Sequence, residues 1–304
     1  LPKEKYAKLN PPPSKPLLLA PLLFFPPFHP RRALPVDLKN PEFARLKYRL
    51  VQETEAKLIG TDSSKMANGS IEMDLIFNPK GVMSQGELII EILCERVAVR
   101  QHQGGQPFDF EATRASGNQA LAPVLNAKME LLLTRFGEVK NFTGIDEAFK
   151  KADDNVLDSL KTLLESRINN RAMADIFKQL FGYLTYKPME AGDTWSRKIS
   201  NAGRKREYVF KLEKREKDRT KIAMTADISA SAAPRYINLG AIKIKSKLKG
   251  AETGQLELDP YGWIRSYEIQ SATESTVRFK PQKKARSIEI PMQVHNTLRF
   301  NRIQ

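Results

Sequence analysis

Leu131-Leu132-Leu133-Thr134-Arg135-Phe136-Gly137-Glu138-Val139-Lys140-Asn141-Phe142 reads as a strand, a tight turn and a returning strand. A second stretch repeats its pattern 125 residues later (256 against 131): Leu256-Glu257-Leu258-Asp259-Pro260-Tyr261-Gly262-Trp263-Ile264-Arg265-Ser266-Tyr267. Both run Leu-x-Leu, a polar turn-former, an aromatic-Gly pair, then an aliphatic, a basic and an aromatic residue. Asp or Thr closes such a turn, and Gly supplies positive φ without a Cβ penalty. The aromatics on the return strand then share one face with their cross-strand neighbours.

Working outward, most of the chain alternates with period two, which predicts strands. The first half holds Phe43–Ile59, Ile71–Phe77, Gly86–Arg100 and Pro107–Glu111; the second holds Glu207–Glu213, Lys221–Ser229, Ala241–Lys249, Gln255–Asp259, Trp263–Ser271, Thr276–Phe279 and Ser287–Phe300. Lys47-Tyr48-Arg49-Leu50-Val51 resembles Glu207-Tyr208-Val209-Phe210-Lys211, so the opening strands of the halves also match. Between them two amphipathic helices are predicted. Asp146–Arg167 carries Phe149, Val156, Leu160, Leu163 and Leu164, and Asn170–Leu184 carries the stripe Met173, Ile176, Phe177, Leu180 and Phe181. Each stripe is expected to pack on a sheet. The fold class is therefore α+β and predominantly antiparallel β, with long curved strands in two similar halves and a two-helix insertion. The boundaries are an N-terminal arm 1–41, a first β half 42–145, the helical insertion 146–187 and a second β half 188–304.

The arm is proline-rich: residues 1–41 hold 11 of the 19 prolines. Lys3, Lys5, Lys8 and Lys15 precede the apolar run Leu17–Phe25, the order of an export signal, but Pro21 interrupts the run and no small-residue cleavage site follows. The segment is thus either a Pro-rich arm or a degenerate export signal. No stretch reaches the about 20 apolar residues of a membrane-spanning helix.

The formal charge of +15 is uneven. Residues 192–304 hold 24 Lys+Arg against 12 Asp+Glu, residues 51–191 hold 16 against 20, and residues 1–50 hold 10 against 3. A field of this sign favours an anionic partner: nucleic acid, an anionic lipid surface or an acidic polymer such as a glycan. Its densest feature is Lys243, Lys245, Lys247 and Lys249, alternating with Ile242, Ile244 and Leu248, with Arg204, Lys205 and Arg206 as an extension. Such a row is a solvated or edge-guarding strand face, or a line of cations about 7 Å apart facing a polyanion.

Pro188-Met189-Glu190-Ala191-Gly192-Asp193-Thr194-Trp195 opens the second set of strands. Together with the Tyr-bearing first strand, the hairpin and the helical segment, it resembles an uncharacterised bacterial family of secreted proteins and lipoproteins, of planctomycete and Bacteroidetes type, with a Pro-x-x-x-Gly-Asp-x-Trp motif. The resemblance covers about residues 45–304. It implies a periplasmic, outer-membrane-associated or extracellular location, and it supplies no activity and no functional residues. No lipobox cysteine is present, which puts lipid anchoring in doubt.

The sequence offers no catalytic, metal-binding or cofactor-binding set. His29, His102 and His295 are isolated from one another and from the one cysteine, Cys94, which sits in an apolar strand and reads as a buried thiol. No P-loop, dinucleotide fingerprint or nucleophile elbow occurs. Asp109 and Glu111 share a strand face, as carboxylates on a solvated face commonly do. The reading is a non-enzymatic envelope or secreted protein that binds or scaffolds through its sheets, with a hydrophobic ligand as the expected partner. The alternatives are a polyanion-binding protein using the basic C-terminal half, and a hydrolase with an unrecognised site.

Overall fold

The structure, a computed structural model, describes residues 45–59, 67–83, 86–103, 106–114, 122–134, 136–150, 168–185, 187–201, 204–231, 235–237, 242–280 and 288–303. The N-terminal arm, and the part of the first expected helix from 151 to 167, lie outside the described residues.

Among the described residues thirteen strands form one antiparallel sheet. In chain order they are β1 (Leu46–Leu58), β2 (Ala67–Val82), β3 (Glu87–Gln103), β4 (Gln106–Thr113), β5 (Met129–Thr134), β6 (Val139–Thr143), β7 (Thr194–Asn201), β8 (Arg204–Arg215), β9 (Thr220–Ser231), β10 (Arg235–Ile237), β11 (Ile242–Leu258), β12 (Ile264–Lys280) and β13 (Ile288–Arg302). The helices are α1 (Ala122–Asn126), α2 (Ile145–Lys150) and α3 (Asn170–Leu180). The spatial order is β6-β5-β3-β2-β1-β13-β12-β11-β9-β8-β7, with β4 on β3 and β10 on β11. The chain thus runs outward from β1 in one meander, and returns in a second whose last strand pairs back onto β1.

Alternation puts one face of every long strand inside. On β9, Ile222, Met224, Ala226 and Ile228 are buried while Thr225, Asp227 and Ser229 are exposed. The inner faces of β1, β2, β3, β5, β8, β11, β12 and β13 join in one core, where Tyr48 stacks on Phe300 at 4.3 Å and meets Phe77 edge-on at 5.1 Å. Fully burying each such side chain contributes roughly 1.5–3 kcal/mol.

The edge strands β6 and β7 are joined through α3. Asn169 caps this helix by accepting from the Ala172 amide at 2.8 Å, a contact worth about 1 kcal/mol. Its stripe is buried as the spacing predicts: Met173, Ile176, Phe177 and Leu180 are all inside, and the Phe177 ring lies 5.3 Å from Phe142 of β6. The helix ends at Leu180, a turn earlier than the expected Leu184. Tyr183 is thereby freed to bond elsewhere.

The two aromatic-Gly turns have the same geometry. Gly137 and Gly262 take φ of +81° and +87°. Each glycine amide donates to the carbonyl of its turn-former, Thr134 at 2.9 Å and Asp259 at 3.1 Å. The amide after each glycine donates to the turn-former's side-chain oxygen, Glu138 to Thr134 at 3.1 Å and Trp263 to Asp259 at 2.9 Å. The bulges also coincide: opposite Leu132-Leu133 of β5 and Glu257-Leu258 of β11 the return strand carries one extra residue, Lys140 on β6 and Arg265 on β12.

Several sequence expectations need correction. Ala241–Lys249 and Gln255–Asp259 belong to one strand, β11, and Trp263–Ser271 and Thr276–Phe279 to another, β12. Strand β11 is not an edge: it pairs with β12 along its length and with β9 over its C-terminal two-thirds. Strand β7, which contains Trp195, is the first of the second set, and none of the expected strand ranges covered it. The Gly192-Asp193-Thr194-Trp195 segment starts it: the Gly192 amide donates to the Leu212 carbonyl at 2.6 Å, and the Trp195 indole donates to the Tyr183 carbonyl at 3.1 Å.

Cys94 is buried on the inner face, as its apolar strand predicted. Burial pushes its thiol up to about 12. The native protein should therefore resist thiol-specific reagents across pH 7–9. Labelling by a chromogenic disulfide should occur only at the rate at which the sheet opens, and fast labelling without denaturant would refute this placement.

Candidate functional site: a polar belt across the inner face

Inner-face residues stack in rows perpendicular to the strands. Near the aromatic core the rows are apolar. One row further on, register aligns Tyr208 of β8, Ala226 of β9, Glu252 of β11, Ser271 of β12, Asn296 of β13 and Thr54 of β1. Side-chain bonds run along this row. Tyr208 donates its hydroxyl to Glu252 Oε2 at 2.7 Å, Asn296 Nδ2 donates to Ser271 Oγ at 3.3 Å, and Thr54 Oγ1 donates to Asn296 Oδ1 at 2.9 Å. From the next row, Arg206 Nε donates to Glu252 Oε1 at 3.0 Å.

Glu252 is 3% exposed and Tyr208 1% exposed, so both lie out of water. A buried carboxylate is tolerable only if paired and hydrogen-bonded. Here one guanidinium supplies the charge and one phenol a second donor. Burial, with Tyr267 and Glu252 close by, raises the Tyr208 phenol far above its ordinary range, so it stays a donor. Burial opposes the Arg206 charge, but the Glu252 carboxylate outweighs it and the guanidinium pKa is raised. Tyr267, also fully buried, has its phenol raised by burial and by the nearby Glu252. Its hydroxyl finds no hydrogen-bond partner among the described residues.

Two glycines on β11 leave room for β12 beside Glu252. Gly250 and Gly254 flank it two residues away on the same face. A β-carbon at Gly254 would run into the Glu268 carbonyl and stand 2.9 Å from Met224 Cε. Strand β12 can approach β11 this closely only because both positions lack side chains.

Beyond the belt the inner face carries apolar side chains again on β1, β13 and β11, with Thr273 and Ser275 of β12 between them. Ala56 pairs with Val294, and Leu58 with Met292. These four, with Leu248 of β11, are half-buried, in contrast to the sealed core on the other side.

The lysine row falls differently from the expectation. Lys243, Lys245 and Lys247 take alternate positions of β11, opposite Lys280, Arg278 and Thr276 of β12, and their side chains lie outside the description, as does that of Arg204. Lys249 and Lys205 are exposed, and register places them in one row on either side of Ser229. Arg206 does not extend that row: it points to the opposite face and is held by Glu252, with only 11% of its side chain exposed. Asp109 and Glu111 are tied into an outer-face lattice of ion pairs with Arg96 and Arg100. His102 and His295 line an outer-face cleft of about 340 Å³ together with Glu53, Glu55, Asn68 and Arg100. No group of three or more metal-ligating residues occurs among the described residues.

Sequence reading missed Glu252, Tyr208 and Tyr267. A usable signal existed in β11. Keeping one phase through Leu248-x-Gly250-x-Glu252-x-Gly254-x-Leu256-x-Leu258 puts a carboxylate between two glycines on the core-facing side. The strand was instead divided into Ala241–Lys249 and Gln255–Asp259, which leaves Glu252 between them.

The described residues define a two-meander antiparallel sheet protein whose meanders join where its first and last described strands pair, whose edges are bridged by a helix and whose inner face is crossed by a polar belt. The chain belongs to a protein family of unknown function, DUF6263, whose model matches residues 85–264. That span contains both hairpin turns, α3 and the Arg206–Glu252 pair. No protein with a curated description matches the chain. Among solved structures it is similar to a mutant of the Rhodopseudomonas blastica porin, with 8% identity and a TM-score of 0.20 over 84% of this chain and 99% of that one. It is likewise similar to OpdQ of Pseudomonas aeruginosa, with 5% identity and a TM-score of 0.20 over 85% and 98%. Likeness at that level carries no argument about this chain. No helix among the described residues is long and apolar enough to cross a membrane.

Proposed function

We propose that this chain is a non-enzymatic envelope or secreted protein of bacterial type that holds a hydrophobic ligand against the open end of its inner sheet face. The observation that carries this reading is the half-buried apolar surface of Ala56, Val294, Leu58, Met292 and Leu248, which continues the inner face past a sealed core. A surface of this kind inside a curved sheet is where an apolar molecule gains most by leaving water. The motif resemblance supports the envelope location. The same reading takes the chain as two similar halves joined by a helical insertion. It is supported by the shared turn and bulge, and by the strand orders β6-β5-β3-β2-β1 and β12-β11-β9-β8-β7, which set β1 against β7; the likeness of residues 47–51 to 207–211 pairs β1 with β8 instead and does not support it.

The test is fluorescence of the neutral dye N-phenyl-1-naphthylamine. Enhancement on binding is expected, with affinity falling about tenfold, or 1.4 kcal/mol, in Met292→Gln/Leu248→Gln, whose circular dichroism should be unchanged. No enhancement, or an unaffected double variant, overturns the reading. One observation favours polyanion binding instead, the exposed Lys205–Ser229–Lys249 row. Heparin retention abolished by Lys205→Glu/Lys249→Glu would move the assignment there.

A further inference from the structure

Strand β7 ends the sheet, and a cleft of about 230 Å³ lies where it meets the β5–β6 hairpin and α3. The charged side chains lining it are Lys178 of α3, Arg197 and Lys198 of β7, and Glu138 of the hairpin, three cations against one carboxylate. Arg197 is mostly buried, with 24% of its side chain exposed. Its Nη1 donates to the Phe136 and Gly182 carbonyls at 2.9 and 3.3 Å. Its Nε and Nη2, the side-by-side donors that form a fork, make no hydrogen bond among the described residues. Glu138 Oε1 stands 4.0 Å from Nη2, beyond hydrogen-bonding reach, and Glu138 is drawn instead to Lys140 at 3.2 Å. Burial lowers the Arg197 pKa, and the Glu138 charge only partly offsets it. The guanidinium stays charged all the same, so a poorly compensated cation lines the cleft. The two lysines are held loosely, Lys178 by Asp175 and Lys198 by Glu207, each at 3.4 Å on a partly or largely exposed side chain.

We propose that this cleft binds a phosphoryl group, with two of its oxygens on the Arg197 fork and the Lys178 and Lys198 ammonium groups answering the rest of its charge. A guanidinium fork matches two oxygens of one anion, and the flexible lysine stems can follow a third. Charge selects phosphate over carboxylate. The lining carries +2, three cations less one carboxylate, and a phosphoryl group carries about −1.5 to −2 at neutral pH. A carboxylate would leave one cation unanswered. Space is sufficient, since one water needs only about 10–15 Å³ of such volume. Lys198 is 77% exposed, so the cleft meets solvent and the remainder of a phosphate ester can extend outward. The bound group would join the hairpin, α3 and β7, the three elements that Arg197 already ties together. The site is separate from the apolar surface above: β8, β9, β11 and β12 lie between β7 and β13 in the sheet.

The experiment is calorimetry on the full chain at pH 8 and fixed ionic strength, with inorganic phosphate, glycerol 3-phosphate and acetate. Saturable phosphate binding is expected, at least about tenfold tighter than acetate. Glu138→Gln removes the competing carboxylate and should tighten phosphate about three- to tenfold. Lys178→Gln/Lys198→Gln should weaken it about tenfold, and so should Arg197→Lys, which keeps the charge and loses the fork. Lys249→Gln, an exposed lysine on β11, should change nothing. Glycerol 3-phosphate binding tighter than phosphate identifies an ester as the occupant, and the reverse identifies the free ion; both uphold the site. The inference is overturned by absent phosphate binding, by acetate binding as tightly, by no gain in Glu138→Gln, or by Lys249→Gln losing as much as the lysine pair. Arg197→Lys also loses carbonyl bonds and can unfold; the Glu138 and lysine variants keep those bonds and remain decisive. Naphthylamine binding should be indifferent to phosphate, so the hydrophobic-ligand reading stands or falls by itself.

Discussion

Gly137→Ala is expected to destabilise the protein by about 3 kcal/mol, because two independent costs meet at that residue. Its φ of +81° is one that an alanine adopts only at a cost of roughly 1–2 kcal/mol. The added methyl also has nowhere to go. It would overlap the Phe181 carbonyl oxygen, stand 2.9 Å from the carbonyl carbon and 3.1 Å from Leu184 Cβ. The obstacle is backbone, which cannot rotate away as a side chain does, so the hairpin must lift off the end of α3. That lift disturbs the link between edge strands that share no backbone pairing. Arg197 of β7 donates to the Phe136 carbonyl at 2.9 Å and to the Gly182 carbonyl at 3.3 Å, binding hairpin, helix end and β7 with one guanidinium. The other hairpin holds the same helix end through Tyr183, whose hydroxyl donates to the Gly262 carbonyl at 2.8 Å. Gly192 is the control. Its φ is +96°, but open space surrounds the position, so Gly192→Ala should lose only the conformational cost, about 1–2 kcal/mol. Urea midpoints at unchanged m-value measure both. Equal losses would mean that the hairpin does not grip the helix.

This grip shows where sequence reading succeeds and where it stops. The hairpins were legible because turn chemistry is local. A polar turn-former, a glycine at the positive-φ position and an aromatic on the return strand suffice, and the two turns agree down to their bulges. The α3 stripe was legible for the same reason, since period 3.6 is written into consecutive residues. What the turns do was not legible. That Gly137 abuts Phe181 and Gly262 bonds to Tyr183 depends on strands brought together from opposite ends of the sheet. The belt failed more instructively. Arg204-Lys205-Arg206 looks like a basic cluster, but a strand sends neighbours to opposite faces, so Lys205 goes to solvent and Arg206 to Glu252. Their partnership spans 46 residues and two strand pairings, and no local pattern announces it.

Arg206→Met should cost about 3–5 kcal/mol, the range for removing one partner of a buried ion pair. The lost attraction is the smaller part. The larger part is Glu252, left with a negative charge at 3% exposure and only the Tyr208 hydroxyl to answer it. Removing both charges reverses most of this. In Arg206→Met/Glu252→Met no ion is left to desolvate, and methionine fills space adaptably beside Gly250 and Gly254. The double variant should still fall short of the wild type by roughly 1–3 kcal/mol, because Tyr208 then holds a buried hydroxyl without its acceptor. Adding Tyr208→Phe should recover that remainder. The series, followed by chemical denaturation, therefore has a required order: the single variant least stable, the double intermediate, the triple near the wild type. A double variant as unstable as the single would mean that the belt is held by packing and not by charge. A triple variant that is stable, folded and still binds naphthylamine would show that neither the fold nor the apolar surface beyond the belt needs the charged row.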